Sequence, residues 1–147
     1  MSSAGLVEPL TAETIEILGP TIQFLVPPAD GVPCVMLGTI PPGGAVPLHS
    51  HADPETFLML SGEVDGLTDD GWARICAGEV FHVPGHVKHA WRNPLGIPAV
   101  MYLISTATIG RFFREVAANP GEFLDIAARY GYWNATPAEN EAIGISL

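Results

Sequence analysis

The sequence predicts an all-β barrel or sandwich with a short helical tail. Three observations carry this expectation. Short strand-like runs follow one another from about residue 14 to about 107. Turn signals rich in glycine and proline separate them. Beyond Gly110 the apolar spacing changes from every second residue to every third and fourth.

Residues 1–13 read as an irregular arm. The candidate strands are 15–18, 22–26, 34–40, 46–51, 56–61, 64–67, 72–76, 80–83, 88–92 and 99–106. The breaks between them include Pro27-Pro28-Ala29-Asp30-Gly31, Pro41-Pro42-Gly43-Gly44 and Asn93-Pro94-Leu95-Gly96. Asp70-Gly71 between two strand-like runs is a hairpin signal. Many short strands at this spacing suit a barrel or sandwich. In the tail, 111–118 has Phe112, Phe113 and Val116 at helical spacing, and Asn119-Pro120 interrupts it. A second helix over 122–130 repeats Phe123, Ile126 and Ala127 on one side, and Gly131 fits the position after its C-cap. Thr136-Pro137-Ala138-Glu139 has a capping-box pattern with proline at the first helical position. The reading is one domain over 1–147, with a barrel at about 14–107 and a helical extension at about 110–143. That extension either stabilises the barrel through Phe112, Val116, Phe123 and Ile126 or acts as a lid.

Composition narrows the function. The 147 residues carry 16 acids against 6 Lys and Arg, a formal charge of -10. Too few bases remain for a patch that neutralises nucleic-acid phosphates or binds an anionic membrane surface. No apolar run reaches the roughly 18 residues of a membrane span. The first residues, Met1-Ser2-Ser3-Ala4-Gly5, lack the basic and apolar segments of a secretory signal, so a cytoplasmic location is expected. Cys34 and Cys76 lie in strand-like stretches and read as buried thiols rather than a disulfide or metal pair.

Two stretches carry chemistry. The first is Gly43-x5-His49-x-His51-x3-Glu55-x6-Gly62. Side chains alternate along a strand, so His49 and His51 face one way. Asp53-Pro54 bends the chain before Glu55. The second is Gly78-x5-Pro84-x4-His89-x3-Asn93, which supplies a third imidazole. Three imidazoles and one carboxylate suit one divalent first-row metal: Fe, Mn, Ni, Cu or Zn. Six-coordinate, the ion would keep two positions for water, a chelating substrate or dioxygen. Two roles are open to Glu55: ligand only, or ligand and general base.

These stretches resemble the two signature motifs of the cupin superfamily. The match covers Gly43, His49, His51, Glu55 and Gly62, then Gly78, Pro84, His89 and Asn93. One position departs: the family's glycine two residues after the proline is His86 here. The short spacer resembles the compact microbial form. The resemblance implies a double-stranded β-helix, or jelly-roll, barrel. It also implies a metal held by His49, His51, Glu55 and His89, and a homodimer paired through its sheets.

Phe57 and Met59 share parity with Glu55, and Trp91 with His89. They are candidates to line a substrate cavity, ordinary core packing being the alternative. His82 and His86 could serve as acids or bases at the mouth or sit as exposed imidazoles. Arg74, Arg92 and Lys88 default to the solvated surface. The leading functional expectation is a metal-dependent oxygenase resembling quercetin dioxygenase-like small cupins, acting on a small enol, phenol or other chelating substrate. The alternatives are a non-oxidative isomerase, lyase or decarboxylase on the same site, and a non-catalytic small-molecule binding or sensing module.

Overall fold

The computed structural model describes residues 3–8 and 12–146. Its strands are β1 (Thr14–Glu16), β2 (Thr21–Val26), β3 (Cys34–Ile40), β4 (Ala45–Ser50), β5 (Glu55–Ser61), β6 (Val64–Thr68), β7 (Gly71–Ile75), β8 (Val80–Val83), β9 (His89–Arg92), β10 (Ala99–Ser105) and β11 (Trp133–Asn134). The helices are α1 (Ala107–Ala118), α2 (Phe123–Arg129) and α3 (Pro137–Ala142), with a 3-10 turn at Pro120–Glu122. Every strand pair is antiparallel. One sheet runs β1-β2-β3-β10-β5-β8 and the other β11-β4-β9-β6-β7.

The arrangement is a jelly-roll sandwich, which corrects the expectation of a closed barrel. Among the described residues no hydrogen-bonded ladder joins the sheets, so each keeps two edges. Strand number and spacing do not distinguish the two outcomes. Closure depends on register between sheets, which no local signal carries.

The core lies between the sheets. The burial of β3 and of the first half of β5 alternates strictly, which places Cys34, Met36 and Ile40 inside with Phe57 and Met59. Trp91 packs on Phe57 and Phe81, with ring centroids 4.4 and 4.8 Å away. Gly66 is its register partner, and a Cβ there would press on the indole at 3.1 Å. A bare backbone opposite Trp91 is therefore what lets the indole reach the centre. Gly62 (φ +73°) turns the chain between β5 and β6 where a Cβ would meet the Pro98 carbonyl at 2.6 Å.

The helical extension begins earlier than its sequence pattern suggests. Thr106 caps α1, its hydroxyl accepting from the Ile109 N–H at 3.3 Å. Gly110 sits inside the helix because a Cβ there would collide with Pro28 and Cys34. Phe112, Val116, Ile126 and Ala127 form a second buried cluster, with Ile17 and Tyr132 packed against it. The capping box of α3 is present: the Glu139 N–H donates to Thr136 Oγ1 and the Thr136 N–H to Glu139 Oε1. Both cysteines are free, Cys34 fully buried. No described helix is long and apolar enough to cross a membrane.

Candidate metal centre

The four expected ligands converge. His49 lies near the end of β4 and is the register partner of His89, the first residue of β9. His51 follows β4 directly, and Glu55 opens β5 in the opposite sheet. The site therefore bridges the sandwich. One ligand atom from each residue falls within 4.8 Å of every other, and three of the four side chains are buried. The ring centroids of His49 and His89 are 4.2 Å apart, those of His51 and His89 5.1 Å.

Each imidazole is oriented in the same way. His49 Nδ1 donates to the Pro47 carbonyl at 2.7 Å, His51 Nδ1 to Asp53 at 2.8 Å and His89 Nδ1 to Val87 at 2.8 Å. A carbonyl only accepts, so Nδ1 carries a proton in all three rings and Nε2 is the nitrogen left to face the interior. The same backbone bond on the far nitrogen accompanies metal-ligating histidines. His89 Nε2 is buried with no hydrogen-bond partner, 3.7 Å from Glu55 Oε1. A buried unpaired nitrogen beside a carboxylate is what a bound cation would satisfy, so the donor set fits a divalent metal.

The electrostatics of His49 and Glu55 suit this role, and His51 pairs with Glu55 instead. Burial, reinforced by His89, lowers the His49 pKa to about 3, which keeps it a neutral ligand. Burial opposes ionisation of Glu55, but the rings of His51 and His89 outweigh it and hold the carboxyl at about 2. His51 is raised: burial works against it, and the 2.5 Å contact with Glu55 prevails.

The loop between the ligands is pinned from outside. Thr106 Oγ1 donates to Asp53 Oδ1 and Ser105 Oγ to the Pro54 carbonyl, both at 2.8 Å. On the other flank the backbone N–H of His86 donates to the His51 carbonyl at 2.7 Å. His86 adopts φ +65°, so the turn keeps a left-handed residue although the glycine is replaced. A Cβ at its neighbour Gly85 would run into the Ala52 carbonyl. The turn therefore rests directly on the loop between the ligands.

A cavity of about 510 Å³ opens from the cluster. His49, His51, Glu55, Phe57 and Trp91 line it, as do Phe112, Phe113, Phe123 and Tyr132 from the extension. Met59 does not: it has the expected parity but is packed within the core, 1% exposed. His82 is exposed and bonded through Nδ1 to Thr56 Oγ1 at 2.9 Å, and His86 is exposed. Neither lines the cavity. Arg74 and Arg92 pair with Asp65 at 2.6 and 3.2 Å, and Lys88 lies 4.0 Å over Trp133. None of these cations is in the lining.

Sequence reasoning missed Tyr132. Its ring stacks on His51 and Phe112, with centroids 4.8 and 4.1 Å away. Burial, then the carboxylates of Glu55 and Asp53, push its phenol well above the ordinary value. No motif surrounds it. The only local signal is Gly131, which sets the chain direction just before it.

Residues 36–105 match the cupin domain family. No curated protein matches the sequence. Among solved structures, the polyketide cyclase RemF from Streptomyces resistomycificus shares the fold at TM-score 0.64 and 16% identity, over 71% of this chain and 80% of that one. An RmlC-like cupin from Shewanella frigidimarina aligns at TM-score 0.61 and 20% identity, over 71% and 92%. A predicted oxalate decarboxylase from Thermotoga maritima aligns at 0.59 and 20%, over 69% and 98%. At these identities the likeness is one of fold. With the motif residues assembled as above, residues 36–105 match the cupin domain, and the chain shares its fold with solved cupin structures.

Proposed function

We propose that the protein is a metal-dependent oxygenase of the dioxygenase type, acting on a small enol, phenol or related chelating molecule. His49, His51, Glu55 and His89 would hold one divalent transition metal. The observation that carries this is the matched orientation of the three imidazoles, each anchored through Nδ1, with one ligand atom from each within 4.8 Å of the others and of Glu55. The bound ion would supply Lewis acidity toward the anion of the substrate. The chain supplies the rest. Phe57 and Trp91 line the cavity together with the aromatic side chains of the extension, an apolar wall that would limit water at the ion. Glu55 is a ligand first. It is also the one carboxylate among the residues lining the cavity, so it is placed to take a proton from a substrate hydroxyl. No Lys or Arg lines the cavity among the described residues, which favours an apolar body over a phosphorylated one.

A non-oxidative reaction on the same site is the second reading. It is favoured by the names of the structural neighbours, a polyketide cyclase and a predicted oxalate decarboxylase. An oxygen electrode separates the two. Metal-loaded protein screened against small enols and phenols should take up oxygen in proportion to the substrate consumed. Product formed without oxygen uptake would overturn the oxygenase in favour of the lyase or isomerase.

We also propose a homodimer. On the outer face of the six-stranded sheet Val80, Leu58, Tyr102 and Leu37 are successive register partners. Beside this row Leu60 and Ile104 are 40% and 41% exposed, and Val80 itself is 62% exposed. A second copy would cover this apolar band.

A further inference from the structure

The proposed reaction leaves a buried phenol of the cavity wall without a role. Tyr132 is held firmly from both sides. Its N–H donates to the Ala127 carbonyl at 2.9 Å, closing the end of α2, and the next two residues form β11, which pairs with Ser50 and His49 of β4. Its ring lies against those of Phe112 and His51, at interplanar angles of 30° and 38°. Packing therefore fixes where the hydroxyl sits. That hydroxyl is buried and has no hydrogen-bond partner in the protein, and the residue is among those that line the cavity with His51 and Glu55.

Buried hydroxyls are nearly always paired. Phenylalanine would make the same stacks without an orphaned oxygen. The oxygen therefore serves something other than the protein. A phenol at neutral pH has a proton to donate. Much of the surrounding wall is apolar, including Ile22, Ile40, Val46, Met101 and Leu103; its other side-chain donors beyond the ligand cluster and Trp91 are Thr21, Thr39, Asn134 and Ser146.

We propose that Tyr132 Oη donates a hydrogen bond to an oxygen of the bound ligand while another oxygen of that ligand is engaged at the His49, His51, Glu55 and His89 cluster. The substrate class follows: a molecule with two neighbouring oxygens, such as a vicinal diol on an aromatic ring or a hydroxy-enone, on an apolar body. The proposal rests on the metal reading above.

The test uses the zinc-loaded protein, since zinc does not turn the ligand over, and 4-nitrocatechol as the probe. Its visible band reports ionisation and coordination. Tyr132→Phe keeps the ring and removes only the hydroxyl. The variant should hold zinc at the wild-type stoichiometry and melt at the same temperature or slightly higher. Its Kd for 4-nitrocatechol should rise roughly 10- to 100-fold, as for a lost hydrogen bond to a charged acceptor. The bound band should move to longer wavelength as the catecholate loses a donor. Wild-type affinity and an unmoved band in the zinc-loaded variant would overturn the proposal. So would a variant that melts several degrees lower with an unmoved band, because the hydroxyl would then belong to the packing. Wild-type protein that takes up zinc but does not bind 4-nitrocatechol would refute the substrate class, and the proposal with it. Failure of the wild type to take up zinc is visible before any ligand is added. It would refute the metal reading itself.

Discussion

The backbone N–H of His86 donates to the carbonyl of His51 at 2.7 Å, joining the turn of the second motif to a ligand of the first. That turn needs a residue at φ +65°, and histidine is among the residues that tolerate it. His86→Gly should therefore preserve the turn and change stability by less than about 1 kcal/mol. His86→Val forces a β-branched side chain into the left-handed region and should cost about 1 to 2 kcal/mol. It should also reduce metal occupancy as His51 shifts. Urea unfolding and elemental analysis of the two variants check both expectations.

One equivalent of divalent metal should bind per chain, and His51→Ala should lose most of it while keeping the fold. Addition of metal should raise the melting temperature of the wild type and leave that of the variant nearly unchanged. Unchanged stoichiometry in His51→Ala would contradict the ligand assignment.

The metal-stripped protein should show an acid-sensitive stability. His49 and Glu55 stand at about 3 and about 2 in the folded protein, against ordinary values of 6.5 and 4.5. Between those limits the unfolded chain binds more protons, so stability is lost as pH falls from 6.5 towards 2. His51 has the opposite sign: its raised value gives stability below 6.5 that is lost as pH rises through the folded value. Melting curves of EDTA-treated protein should thus peak near neutrality and fall more steeply on the acid side.

Ile126→Ala should destabilise by about 2 to 5 kcal/mol, because the side chain is 1% exposed in the cluster under the extension. Removing residues 107–147 should cost more, and should also abolish 4-nitrocatechol binding, since Phe112, Phe113, Phe123 and Tyr132 leave the cavity wall. A purely stabilising tail would lower the melting temperature and leave affinity intact at low temperature. Light scattering at micromolar concentration should give a dimer mass for the wild type and a monomer mass for Leu58→Lys, which places a charge in the apolar row.

The ligand set was legible in the sequence because it sits in a frame of glycines and prolines whose spacing is fixed by the turns they make. Gly62 shows why: it has backbone where a Cβ would go. Strand positions were legible for the same reason. The start of α1 was not, since Gly110 reads as a breaker. Its presence inside the helix is explained only by the closeness of Pro28 and Cys34, far away in sequence. The two-residue strand β11 has no period to detect. Met59 shows the limit of parity, which gives the face of a strand and not the depth at which a cavity ends. Tyr132 owes its place to three partners, Ala127, Phe112 and His51, that only the folded chain brings together.

The ligands all lie between His49 and His89, whereas much of the covering wall comes from beyond Ser105. On the proposed reading, the candidate ligands and a large part of the wall around a guest are thus written in separate stretches of the chain. A protein with the same residues 34–105 and a different tail would keep the four candidate ligands and offer a guest another wall. Substrate preference would then change without replacing any of the three imidazoles.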